Sequence, residues 1–109
     1  MAQFDVHRNK GGLRDSIPFV VVVQSAQFDR YRRRVVVPLV RQTLLSRSTP
    51  TVGARMNPVF VIEGIRVVLH PLDMVSVALD QLGEAVGSLE KQGQVIADAL
   101  DELLNRSWG

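Results

Sequence analysis

Val59-Phe60-Val61-Ile62-Glu63-Gly64-Ile65-Arg66-Val67-Val68-Leu69 decides the fold class of this 109-residue chain. Two apolar, largely β-branched runs flank a pair of residues that ends in glycine. Branched side chains fit a pleated surface better than a helix, and glycine accepts the positive φ of a two-residue hairpin turn. The stretch is predicted to be a tight antiparallel hairpin. Upstream, residues 33–40 form another β-branched run, interrupted by Pro38. Proline has no N–H to give a ladder, so this strand is expected at a sheet edge or at a bend. Residues 19–23, Phe-Val-Val-Val-Val after Pro18, read as a strand buried on both faces. Residues 3–8 alternate apolar and polar and read as a short strand. Polar connections are expected at 9–16, 24–32 and 46–58. Residues 74–79 read as one more strand, with a helix as the alternative because the apolar run is short.

Toward the C-terminus the period changes. Leu89, Ile96, Leu100 and Leu103 fall on one helical face, and Asp98, Asp101, Glu102 and Asn105 on the other. Ser88 is the expected N-cap, with Glu90 in the first turn. Gly93 reads as a flaw worth about 1 kcal/mol relative to alanine. Asp101 and Glu102 oppose the macrodipole near the C-terminal end, partly relieved by Arg106. Five or so strands and one terminal helix imply a small curled sheet or partly closed barrel.

The length suits a single domain, 1–109. There is no cysteine, which excludes disulfides and thiolate metal sites. No signal peptide and no membrane span is read, so a soluble, cytoplasmic protein without membrane contact is expected. Charge is uneven. Residues 1–55 hold ten Lys/Arg against three Asp/Glu, an excess of +7, and residues 56–109 hold three against eight, an excess of −5. This polarity points either to two surfaces that meet different partners or to two halves that each solvate their own exterior.

The inventory for catalysis is thin. His7 and His70 lie in no metal-ligand spacing, and no cofactor or metal is expected. His70 remains open as a general base, with a surface or capping role as the simpler reading. No Gly-x-Ser-x-Gly elbow occurs, and Gly11-Gly12 lacks the ending of a P-loop. No catalytic residue is assigned and the chain is not read as an enzyme. Arg30-Tyr31-Arg32-Arg33-Arg34 is the strongest basic cluster, which Arg14, Arg41 and Arg55 could join in space. Such a cluster holds a nucleic-acid backbone, docks an acidic peptide, or is a solvated turn. The only tryptophan, Trp108, stands beside Gly109 at the end of the sequence. Its ring either closes the protein's own core or dimer interface, or anchors a different partner.

Several short stretches, in order and spacing, resemble the CcdB-type toxins of bacterial toxin–antitoxin pairs. They are Gln3-Phe4, Val23-Gln24-Ser25, Arg33-Arg34-Val35-Val36-Val37-Pro38-Leu39, Pro58-Val59, Asp73-Met74, Ser76-Val77, Gly83-Glu84-x-Val86 and Trp108-Gly109. The resemblance implies an SH3-like small barrel, mainly β, of about five to seven mostly antiparallel strands with a C-terminal α-helix. It implies a homodimer that binds the A subunit of DNA gyrase through its C-terminal tail and traps the enzyme on cleaved DNA, which blocks replication. It also implies neutralisation by a disordered acidic antitoxin of the CcdA type, with operator DNA reached only through the antitoxin complex, as in plasmid maintenance and transcription regulation. On this resemblance Trp108, Gly109, Asn105 and Ser107 are the gyrase-binding residues. Arg14, Arg30, Arg32, Arg33 and Arg34 are assigned to antitoxin binding. The chain departs from its best-known relatives at Ser107, where they carry a larger apolar residue, and at Gln27-Phe28, where they carry an aliphatic pair. It also lacks their apolar residue after the Trp-Gly pair. The same fold carries endoribonucleases of the MazF type, which is the alternative reading. A non-poisoning relative that only binds antitoxin is another.

Overall fold

The computed structural model describes residues 2–45 and 52–104. Its centre is β3 (Arg33–Arg41), flanked by β2 (Phe19–Val22) and then β1 (Asp5–Asn9). The expected hairpin is present as β4 (Val59–Ile62) and β5 (Ile65–Leu69). Glu63 and Gly64 take φ of 51° and 77°, so both turn residues are left-handed, as the two-residue turn requires. The open segment resolves as a strand, β6 (Val75–Ala78). A seventh strand, β7 (Leu82–Ser88), pairs with β1 and was not expected from the sequence. All seven join one sheet in which every pairing is antiparallel, with the path β4-β5-β3-β2-β1-β7 and β6 alongside β3. The sheet curls into a half-barrel with a C-terminal helix, α1 (Gly93–Leu104), as an SH3-like barrel does.

Pro38 corrects the sequence reading. It lies in the central strand, opposite Val20 of β2, not at an edge. The other margin of β3 is shared, since β6 pairs with residues 33–36 and β5 with residues 39–41. In a strand, N and C=O of one residue point to the same side, and Pro38 O accepts from His70 N. The nitrogen without a hydrogen therefore faces the seam between β5 and β6, where the chain crosses through a 3-10 turn at Pro71–Asp73.

Directly paired residues share a face. Val6, Val21 and Val37 form one row, and Phe19, Leu39 and Leu69 another, all fully buried. Val23, Phe60, Ile62, Val67, Leu89, Ile96 and Ala99 complete this core, which α1 meets through Ile96, Ala99 and the half-buried Leu100, while Leu89 of the expected stripe lies before the helix. Val22 and Val36 are buried on the opposite face, which makes the centre of the sheet apolar on both sides.

Helix α1 starts later than expected, at Gly93, after a 3-10 turn at Glu90–Gln92. The N-cap of that turn is Leu89, not the expected Ser88, whose Oγ one residue earlier accepts from Glu90 N at 3.1 Å. The acidic face of the helix is met by Arg55, which lies 2.6 Å from Glu102 and 3.8 Å from Asp98. Across the barrel opening, Arg8 of β1 reaches Glu84 of β7 at 2.7 Å and Glu63 of the β4–β5 turn at 2.8 Å. One guanidinium thus bridges the two ends of the sheet path. Hydrogen bonds that Arg8 donates to Glu84 first, then to Glu63, raise its pKa above the already high ordinary value, so this group stays charged throughout the range in which carboxylates and histidines titrate.

Candidate functional site

The five arginines assigned to a partner divide into three situations. Arg14 sits in the loop before β2, and residues 30–34 sit in and after the connection that follows it, so they lie at opposite ends of that strand. Arg14 shares its end with Arg41, whose Nε donates to Asp15 O at 3.0 Å. Arg55 is held by the helix acids. The structure therefore does not gather Arg14, Arg41 and Arg55 around the 30–34 cluster.

Arg34 is an interior group, only 3% exposed. Its Nη1 donates to the Tyr31 and Arg33 carbonyls, and its Nη2 donates to the Asp29 carbonyl at 2.6 Å. The Asp29 carboxylate lies 3.8 Å from its Nε. A buried cation with several carbonyl acceptors is a means of fixing a loop, because those carbonyls leave the ladder and need donors. Arg34 is thereby withdrawn from the accessible cluster, and it holds the connection that presents Arg30, Tyr31 and Arg32 to solvent.

That connection begins with a 3-10 turn, Ala26–Phe28, whose first amides are served by Ser25 Oγ, accepting weakly from Gln27 N at 3.4 Å. Gln24 closes the loop from inside. Its Nε2 donates to Phe28 O and Arg33 O, each at 3.3 Å, and its Oε1 accepts from Val35 N at 3.2 Å. The result is an open cleft of about 570 Å³ with Val23 and Val35 on its floor and Phe28 and Tyr31 on its wall. Those rings are 43% and 57% exposed, with centroids 6.2 Å apart and planes tilted by 42°. Arg32 and Arg33 form the rim and also line a second hollow of about 250 Å³ with Ala78, Leu79 and Asp80. Arg33 is tied to β6, donating to Ser76 Oγ at 2.9 Å and Ser76 O at 2.7 Å. The sequence reading named the arginines and Tyr31 but not Phe28 as part of a site. The available signal was Phe28 three residues before Tyr31, behind a serine cap.

A third hollow, of about 260 Å³, lies at the Arg14 end of the sheet, between the 11–17 loop and the second face. Ile17, Val20, Pro38, Val75 and Val77 line it, with Leu13 exposed at its margin.

The histidines are far apart in the topology. His7 is 6% exposed on β1, with Nδ1 2.9 Å from Gly83 O, so Nδ1 donates to that carbonyl and Nε2 is buried without a partner. His70 follows β5, its Nδ1 3.0 Å from Asp73 Oδ2 but poorly aligned for a hydrogen bond. Among the described residues no three His, Cys, Asp or Glu side chains gather as a metal site. Among them, too, no helix is long and apolar enough to cross a membrane. Trp108, Gly109, Asn105 and Ser107 lie outside the described residues.

Comparison with known proteins adds three findings. The model of the CcdB protein family matches residues 3–105. No curated protein matches the sequence. Among solved structures, an endoribonuclease in complex with its cognate antitoxin, from a mycobacterial species, superposes with a TM-score of 0.74 at 17% identity. That likeness covers 100% of this chain and 99% of the other, and at this identity it speaks for the fold alone.

Proposed function

Because the chain belongs to the CcdB family, we propose that it is the toxin of a toxin–antitoxin pair and acts by binding the A subunit of DNA gyrase, not by catalysis. The observation that carries this reading is the family match over residues 3–105, almost the full chain. In this reading the tail residues Trp108 and Gly109, with Asn105 and Ser107, enter a pocket on gyrase and stabilise the cleaved DNA complex. A rigid aromatic with one N–H donor, followed by a residue without a side chain, suits such a pocket. A homodimer would present two tails side by side. The protein works in the cytoplasm, where its target is.

The cognate antitoxin is the second partner. Its acidic, disordered segment is drawn to the basic surfaces at Arg30, Arg32 and Arg33 and, at the other end of β2, at Arg14. Arg34 supports that surface from within. DNA at the operator is reached only through the antitoxin complex.

An endoribonuclease reading draws on the fold shared with the mycobacterial enzyme. The nearest group of general-base type is His70 beside Asp73. Supercoiling and DNA-cleavage assays with gyrase, run beside RNA cleavage on the same preparation, test the choice. Gyrase-dependent DNA breaks with intact RNA are expected. RNA cleavage that is lost in His70→Ala would replace the gyrase reading with the nuclease one.

A further inference from the structure

The cleft at Phe28 and Tyr31 and the hollow behind Arg32 and Arg33 adjoin at those two arginines, at the start of β3. We propose that the two act as one groove and bind an acidic peptide segment that seats a large apolar side chain against Phe28, Tyr31 and Val35, with a carboxylate on Arg32. The proposal rests on the antitoxin reading above and specifies where, and by what chemistry, that partner docks.

Three observations select the occupant. The floor, Val23 and Val35, offers no polar side-chain atom, and the polar groups nearest it are already used. Gln24 spends its amide on Phe28 O, Arg33 O and Val35 N, and Ser25 Oγ accepts from Gln27 N. A nucleobase, polar along its edges, would lose hydration there without gaining partners, whereas a leucine, phenylalanine or tryptophan side chain would not. The two rings contact each other at a tilt, forming a wall and not a slot into which a base could stack. The charge is positive and unspent. Among the described residues Arg30 and Arg32 make no ion pair or side-chain hydrogen bond, and the Asp29 carboxylate is turned toward Arg34. Asp80 lines the far hollow, so the carboxylates of the ligand belong where Arg32 borders the aromatic cleft.

The test uses the full chain and a fluorescein-labelled synthetic peptide with one tryptophan among glutamates, read by anisotropy. Control peptides replace the tryptophan by serine or the glutamates by lysine. Phe28→Ala, Tyr31→Ala and Arg32→Glu should each weaken binding about tenfold or more, and both control peptides should fail to bind. These side chains are exposed, and unchanged thermal melts will show that the variants fold. Lys91→Glu, in the exposed turn before α1, should leave affinity within about twofold. Equal binding by all three groove variants, or loss confined to Lys91→Glu, overturns the proposal. Tighter binding of a labelled single-stranded RNA, lost in the same three variants, reassigns the groove to nucleic acid and also overturns it. A growth assay separates this outcome from the function beneath it. If a cognate antitoxin rescues cells from the wild type and from Tyr31→Ala alike, the groove falls and the antitoxin reading stands. If antitoxin relieves neither, the antitoxin reading itself falls.

Discussion

Gly93 opens α1 under the ring of Phe4, and a β-carbon at that position would lie 2.6 Å from Phe4 Cε2. Phe4 has little freedom to withdraw. It takes φ of 72°, its N–H donates to Val22 O, and its carbonyl accepts from Leu89 N, so it joins the end of β2 to the entry of the helix. On helix propensity alone, Gly93→Ala should stabilise by about 1 kcal/mol. The contact reverses the sign, and overpacking should instead cost about 1–3 kcal/mol, lowering Tm by several degrees in a thermal melt. Propensity could not reveal this, because the clash comes from a residue far away in sequence. Arg34 makes the same point for charge. In the sequence it is one of four arginines around a tyrosine, and nothing local marks it as the one that turns inward. Arg34→Met should leave the Asp29 and Tyr31 carbonyls without their donor, while Arg33 O keeps Gln24, at a cost of about 1–3 kcal/mol in chemical denaturation. The same change at the exposed Arg32 should leave stability within about 0.5 kcal/mol.

Elements were legible where local pattern and long-range pairing agree. The β4–β5 hairpin follows from its turn residues alone, and Gly64→Ala should cost about 1–2 kcal/mol, because an L side chain is strained at φ of 77°. A denaturant titration showing a lower midpoint with an unchanged slope would establish that cost. The helical stripe was legible for the same reason, since Ile96 and Leu100 of α1 repeat with the helix period and meet the core, whereas Leu89 meets it from before the helix. β7 was not legible. Gly83 and Gly87 break its apolar alternation, no residue of the strand is fully buried, and its register with β1 shifts twice. Its strand character comes from β1, which offers it a free edge, more than from its own residues. Pro38 misled in the opposite direction. A proline in a strand does argue for an edge, but here the central strand has a local edge of its own, where β6 ends and β5 begins.

At the scale of the molecule, the excess of +7 in the first half of the sequence does not become one basic face. The order of strands sends Arg14 and Arg41 to one end of the sheet and Arg30, Arg32 and Arg33 to the other, while Arg55 is drawn to the acidic helix. Charge counting could find the excess but not its division, which depends on how β2 and β3 run. Separate basic ends suit the proposed antitoxin segment, which would reach both. The Trp108→Ala substitution divides the two readings of that tail. As a gyrase anchor, Trp108 contributes to binding only in the complex, and removing an interface aromatic commonly costs about 2 kcal/mol or more, roughly thirtyfold in affinity. Growth inhibition and gyrase binding should then fall while the thermal melt, self-association and antitoxin binding stay unchanged. As a residue of the protein's own core or dimer interface, its truncation should cost about 3–5 kcal/mol of stability, and the melt or the dimer should fail first. We expect the first pattern. Purified Trp108→Ala that melts well below the wild type, or that no longer self-associates, would assign the tryptophan to the fold and return the gyrase contact to other residues.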